Sequence, residues 1–89
     1  MKNINNKNKL IKKLKYRSVY SGSKESDFIL TNFANNNLEN LDIKELESYE
    51  KFLTLGDMNI WNWVSDNEPL PFFEDQNYKK FISLMKENK

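Results

Sequence analysis

The side chains available for chemistry are carboxylates, tyrosines and lysines, because the 89-residue chain contains no cysteine and no histidine. Their absence removes thiolate nucleophiles, the commonest general base and the commonest metal ligand. The carboxylates are many but dispersed along the chain. Nothing in the sequence indicates a pair of them that is buried or has a shifted pKa. These features argue against an enzyme and predict a protein that acts by binding, with no catalytic residue and no metal.

Two local patterns that could carry chemistry have simpler explanations. Glu45 and Tyr49 are four residues apart, and we expect surface support of a helix rather than acid–base chemistry. The stretch from Asp57 to Asn59 is similar to the start of a calcium loop, but the glycine and the terminal glutamate that such a loop needs are missing. The sequence also lacks a glycine-rich phosphate loop.

The stretch 21–27 separates a basic segment from a predominantly acidic one and predicts a turn that leads into a helix. Gly22 can adopt the positive φ angles of a tight turn. Ser23 is a good N-cap. Glu25 and Asp27 then lie in the first helical turn, where carboxylates complement the helix dipole. Capping alone explains this pattern locally, so a functional interpretation needs support from the rest of the chain.

Charge is unevenly distributed although the net charge is only +1. Seven basic and no acidic residues precede Ser18, whereas twelve acidic residues lie between Glu25 and Asp75. A basic arm allows a nucleic-acid binder, but the acidic remainder would repel phosphate. We therefore favour a solvated helix face and expect no nucleic-acid partner. With no membrane-spanning run and no secretory signal, a cytoplasmic location is expected.

Apolar residues recur with helical spacing throughout, and no stretch alternates over the length of a strand. The prediction is an all-α fold, a single small domain of five short helices over 9–89, preceded by a flexible tail over 1–8. The first, second, fourth and fifth helices are expected at 9–20, 25–36, 58–65 and 75–87. Between the last two, Pro69 and Pro71 predict a loop.

The third helix has the clearest start signal. Asp42 and Glu45 form a capping-box pair, and Leu41 and Leu46 occupy the positions of a hydrophobic staple. Gly56 is expected at the position that follows the helix end.

The sequence leaves open what two aromatic groups contact. In the fourth helix, Ile60, Trp61 and Val64 are expected to share the buried face, with Trp63 pointing elsewhere. One tryptophan should anchor the core and the other could contact a partner, but the sequence does not decide which. The same choice is open for the side of the first helix that carries tyrosines. In the loop, Leu70 and the Phe72-Phe73 pair are expected to contact the core.

Several landmarks occur in an order typical of one family. A Leu-Lys-Tyr-Arg-Ser segment precedes a Gly-x-x-Glu-x-Asp turn. Glu-Ser-Tyr-Glu-Lys-Phe-Leu follows, then Asp-Met-Asn-Ile-Trp-Asn-Trp, Glu-Pro-Leu-Pro and a last amphipathic helix. Over residues 10–85 the chain resembles the succinate dehydrogenase assembly factors, the flavinators shared by bacteria and mitochondria.

The resemblance implies a five-helix domain that has no catalytic centre and binds no FAD stably. Such proteins bind the flavoprotein subunit of succinate dehydrogenase, and in some bacteria that of fumarate reductase. They promote the covalent bond between FAD and a histidine of this client, a bond that forms within the client itself. We expect a monomer, located in the bacterial cytoplasm because the chain shows no targeting signal. A helical module with another client, similar to an antitoxin, remains the alternative.

The family motif Arg-Gly-x-x-Glu-x-Asp is matched at Gly22, Glu25 and Asp27, which the resemblance assigns to the client contact. Ser21 stands in place of the arginine and cannot supply a cationic fork to a carboxylate or phosphate. Arg17, one helical turn earlier, could compensate. Tyr20 and Trp63 are expected to lie beside this contact.

Overall fold

The computed structural model describes residues 2–19 and 24–87, with side chains from residue 6 onward. A short 3-10 turn, Leu38–Asn40, follows the second of five α-helices. The helices are α1 (Lys2–Val19), α2 (Lys24–Asn37), α3 (Ile43–Leu53), α4 (Asp57–Val64) and α5 (Asn77–Glu87). No strand occurs in these two ranges, so the all-α prediction is confirmed. Within them, no helix is both long and apolar enough to cross a membrane.

Four aromatic rings form the centre of the core. Phe33 of α2, Tyr49 and Phe52 of α3 and Phe81 of α5 are each completely buried. The ring of Phe81 meets the other three edge-on, with centroid distances of 5.5 to 5.6 Å. Such edge-to-face contacts add to the free energy gained by burying the rings. The cluster therefore holds α2, α3 and α5 together.

One buried polar contact ties α1 to α3. The Ser18 hydroxyl donates to the carbonyl of Leu14 over 2.8 Å, so the Tyr49 hydroxyl donates to the Ser18 oxygen over 2.7 Å. Both side chains are fully buried, and both hydroxyls are hydrogen-bonded. Burial raises the pKa of Tyr49, although the Ser18 hydrogen bond and the positive charge of Arg17 oppose the shift. Tyr49 therefore stays neutral and holds the last turn of α1 in place.

The predicted start of α3 is confirmed in atomic detail. The Glu45 amide donates to Asp42 Oδ1 over 2.8 Å, and the Asp42 amide donates to Glu45 Oε1 over 3.0 Å. Leu41 and Leu46, the two residues of the predicted staple, are buried. The other oxygen of Glu45 accepts a hydrogen bond from Lys80 of α5. The cap thus also connects two helices.

Replacing Glu45 should change the pH dependence of stability. Hydrogen bonds from Lys80 and from the Asp42 amide hold the pKa of Glu45 below its usual value. A carboxylate with a lowered pKa stabilises the fold above its unfolded pKa, and this contribution is lost as pH falls through the folded pKa. We expect Glu45→Gln to destabilise the protein at pH 7 by less than about 1 kcal/mol and to match the wild type in acid.

Urea denaturation of both proteins between pH 7 and pH 3 measures this difference. Glu47→Gln is the matched control, because Glu47 lies on the exposed side of the same helix. A gap between wild type and Glu45→Gln that stays constant over the whole pH range would contradict the assignment.

Two predicted helix boundaries are wrong. α1 begins at Lys2 rather than at residue 9, because no glycine or proline interrupts the chain before Gly22 and lysine favours helices. The flexibility assigned to residues 1–8 stays a prediction.

Gly56 does not occupy the predicted position directly after the end of α3. The C-cap of α3 is Thr54, and Gly56, with a φ angle of 97°, is the N-cap of α4. Asp57 is the first residue of α4.

Of the three loop residues predicted to contact the core, Leu70, Phe72 and Phe73, only one does so. Phe73 packs edge-on against Trp63 and Tyr78, with centroid distances of 5.2 and 5.4 Å. Phe72 is 89% exposed and Leu70 is also exposed, so the predicted core contact is wrong for these two residues. Adjacent residues of a non-helical chain point in different directions, and Phe73 takes the inward position.

Candidate functional site

The first turn of α2 carries the two predicted carboxylates in different environments. Glu25 is exposed, whereas Asp27 is half-buried and accepts a hydrogen bond from the Thr31 hydroxyl at 3.5 Å. The buried Ser26 between them donates to Asp57 of α4 over 3.2 Å. This bond joins the first turns of α2 and α4. Glu25 is therefore presented to solvent from a turn that is fixed on the rest of the domain.

An open apolar groove of about 280 Å³ lies directly beside Glu25. Its walls are formed by Phe28 and Ile29 of α2 and Trp61 of α4, with Lys24 at its edge. Phe28 is 59% exposed, and it follows Glu25 by three residues, which places both on one face of the helix. A carboxylate next to exposed aromatic surface is the kind of composition found in protein interfaces.

Sequence reasoning missed Phe28, an exposed aromatic residue of α2. The buried stripe of α2 runs through Ile29, Leu30 and Phe33, so an aromatic residue at 28 lies off that stripe. The position of Phe28 outside the buried stripe was the signal in the sequence that could have identified it. An aromatic side chain off the core face and in line with Glu25 marks a surface position that a partner can contact.

The predicted arrangement of the tryptophans is reversed. Ile60, Trp63 and Val64 form the buried face of α4, and Trp63 is only 9% exposed. Trp63 is the core anchor because Phe73, from the following loop, covers its ring. Trp61 is half-buried and lines the groove instead. The partner contact of Trp63 stays a prediction, and little of the Trp63 side chain is exposed to make it. Trp61, which lines the groove, is better placed to contact a partner.

The remaining predicted residues lie at the end of α1 or outside the described ranges. Arg17 is half-buried in the last turn of α1, where a cation complements the helix dipole. Tyr20 and Gly22 fall outside the described residues, as do Ser21 and the Ser23 cap. Tyr16 and Val19 are exposed at the end of the same helix. On the described part of the tyrosine side, these two therefore lie outside the core.

Acidic residues of the domain partly neutralise the basic side of α1. Lys13 pairs with Glu50 of α3 over 2.6 Å, and Lys15 pairs with Glu39 over 3.2 Å. Exposed ion pairs contribute little to stability, but they place carboxylates where a phosphate backbone would have to bind. This arrangement supports the interpretation of α1 as a solvated helix face.

The groove beside Glu25 offers little to a bound dinucleotide. In the described part of the chain, no three acidic side chains are grouped so that they could hold a metal ion. The groove beside Glu25 is shallow, its lining is almost entirely apolar, and Lys24 is the one cation that lines it. Pockets that hold a ligand of FAD size enclose most of its surface. The groove fits a protruding side chain of a partner better than a dinucleotide.

Comparison with known proteins identifies the family. A family model described as the flavinator of succinate dehydrogenase matches residues 12–89. The chain belongs to this family. The suspected resemblance is therefore confirmed. No solved structure matches the chain significantly.

Three relatives carry the name succinate dehydrogenase assembly factor 2, mitochondrial. The protein of Lodderomyces elongisporus is 35% identical over 80 residues, covering 85% of this chain and 49% of the relative. The Arabidopsis thaliana protein is 31% identical, covering 80% and 38%. The Dictyostelium discoideum protein is 36% identical, covering 71% and 45%. The chain thus spans about half the length of these relatives or less.

The relatives also correct the predicted location. All three are named mitochondrial and come from eukaryotes, so the expectation of a bacterial cytoplasmic flavinator is wrong by this comparison. The expectation was based on the lack of recognised targeting signals in these 89 residues, which is a weak criterion.

Proposed function

We propose that the protein is an assembly factor that binds the flavoprotein subunit of succinate dehydrogenase and promotes its covalent attachment to FAD. The observation that carries this proposal is the family match over residues 12–89. It is supported by the exposed Glu25 beside the groove formed by Phe28 and Trp61, which gives the family's turn an adjacent apolar docking surface. In this proposal the protein is a monomer without a catalytic residue.

The proposed contact combines one charged and one apolar region. Glu25 and Arg17 provide opposite charges on the two helices that flank the turn, and these charges orient the client. The groove of Phe28 and Trp61 provides the apolar area that stabilises the complex. Gly22, which lies between the two helices in the sequence, belongs to the proposed contact because it matches the family motif. Asp27 supports the first turn of α2 and touches the client less than Glu25 does.

The protein's own residues bind and orient, and the covalent bond forms in the client. FAD supplies the flavin carbon that the client's histidine joins, and no residue of this chain needs to touch it. Holding the two halves of an intramolecular reaction in the aligned geometry can by itself accelerate the reaction by several orders of magnitude. The protein would act by stabilising a client conformation in which histidine and flavin are aligned.

Direct binding to the isolated flavoprotein subunit tests the partner. The two purified proteins should elute together from a size-exclusion column as a one-to-one complex. Glu25→Ala should weaken the complex, whereas Glu47→Ala, an exposed glutamate on α3, should not. Separate elution at micromolar concentrations of both proteins would contradict the proposal and favour another client.

A further inference from the structure

The loop between α4 and α5 presents an exposed apolar tip. Phe72 is 89% exposed, and Leu70 is exposed beside it. Pro69 and Pro71 are exposed as well. Together, residues 69–72 form a continuous apolar segment on the surface. No residue of this segment lines the groove beside Glu25, so the tip is a separate feature.

The loop is held firmly at the base of this tip. Phe73 is inserted between Trp63 and Tyr78, directly after the exposed Phe72. The amide of Glu68 donates to the carbonyl of Asn62 over 3.2 Å, and the Asn62 side chain donates to the Glu68 carboxylate over 3.1 Å.

The ends of the loop are fixed as well. Asp66 pairs with Lys86 of α5 over 2.6 Å, and Asp75 accepts from the Asn77 amide over 2.9 Å. Pro69 and Pro71 further restrict the backbone. A segment fixed in this way loses little conformational entropy on binding, which favours affinity.

Charge around the tip indicates the chemistry of its partner. Residues 65–76 contain four carboxylates and neither lysine nor arginine, although Lys86 pairs with Asp66 and Lys51 of α3 lines the same shallow pocket as Phe72. Glu68 and Glu74, which flank the apolar segment, are both exposed. A complementary surface therefore has an apolar pocket for one aromatic ring and basic side chains around its rim.

We propose that Phe72 is a second anchor for the flavoprotein subunit, inserted into an apolar pocket of that subunit with a basic rim. This inference rests on the proposed function and extends it from one contact to two. Two separate contacts on one rigid domain fix the orientation of a client better than one, because the second contact removes rotation about the first. Phe72, with its ring exposed and its loop fixed, has the properties of a binding hot spot.

Calorimetric titration of the purified flavoprotein subunit with the wild type and three variants tests the inference. Phe72→Ser should bind about tenfold more weakly than the wild type or worse, as expected when an aromatic anchor is lost. Phe72→Leu keeps an apolar side chain and should stay within about threefold of the wild type. The variant Glu74→Lys reverses an exposed charge beside the tip without touching the Asn62–Glu68 hydrogen bond, and it should bind more weakly and lose part of the salt dependence of binding. Thermal unfolding of all variants serves as the check on folding.

The outcomes separate the two claims. If Phe72→Ser binds the flavoprotein subunit as tightly as the wild type does, the second anchor is overturned and the proposed function stays intact. An absence of binding by the wild type would overturn the proposed function and this inference with it. Self-association of the wild type that disappears in Phe72→Ser, with client binding unchanged, would assign the tip to a second copy of the chain and would also overturn the inference.

Discussion

Phe81→Ala should destabilise the protein by about 3–5 kcal/mol, the usual cost of truncating a buried phenylalanine. Phe81 is fully buried and contacts the rings of Phe33, Tyr49 and Phe52, so its loss leaves a cavity where α2, α3 and α5 meet. Domains of this size are stable by only about 5–15 kcal/mol. The variant should therefore be partly unfolded at room temperature or melt at least about 12 °C lower.

Urea denaturation followed by circular dichroism measures this loss. Phe72→Ala is the matched control, since it removes the same atoms from a ring that is 89% exposed. The control should stay within about 0.5 kcal/mol of the wild type, as surface substitutions usually do. A loss below about 1 kcal/mol for Phe81→Ala would contradict the ring cluster as the centre of the core.

Phe28→Asp should weaken the complex with the flavoprotein subunit at least about thirtyfold and leave the domain folded. The substitution places a charge in the apolar groove between α2 and Trp61, where a bound client would have to bury it without a partner. Losing a hot-spot contact costs about 2 kcal/mol or more, which corresponds to at least about thirtyfold in affinity. Because Phe28 is 59% exposed, stability should change by less than about 1 kcal/mol.

Titration of the client with the variant gives the affinity, and a melting curve gives the stability. Phe28→Leu is the conservative control and should retain most of the affinity. Met58→Asp provides a second control, because Met58 is similarly exposed on α4 but does not line the groove. Binding by Phe28→Asp at wild-type strength would remove the groove from the interface.

Local signals in the sequence were sufficient to predict those features of the structure that depend on residues close together in the chain. The α3 cap is an example, because Asp42 and Glu45 bond each other's backbone within one turn. The five helices also follow from local periodicity. The fold class was predictable for this reason.

Features that depend on distant residues were not predictable. The spacing of Trp61 and Trp63 is compatible with either one facing the core, and Phe73 from the next loop decides in favour of Trp63. The hydrogen bond between Ser18 and Tyr49 joins residues 31 positions apart, so no local sequence pattern predicts it. The groove beside Glu25 likewise needs α4 to pack against α2 before it exists.

Covalent flavin on the client is the most direct measure of the central claim. The flavoprotein subunit is expressed in cells that lack their own factor, alone, with this protein, and with its Glu25→Ala variant. After denaturing electrophoresis, flavin that remains bound to the client is read by its fluorescence. We predict strong fluorescence with the wild type, weak fluorescence with the variant and little without either. Equal fluorescence of a soluble client in all three cultures would contradict the assignment of this protein as a flavinator.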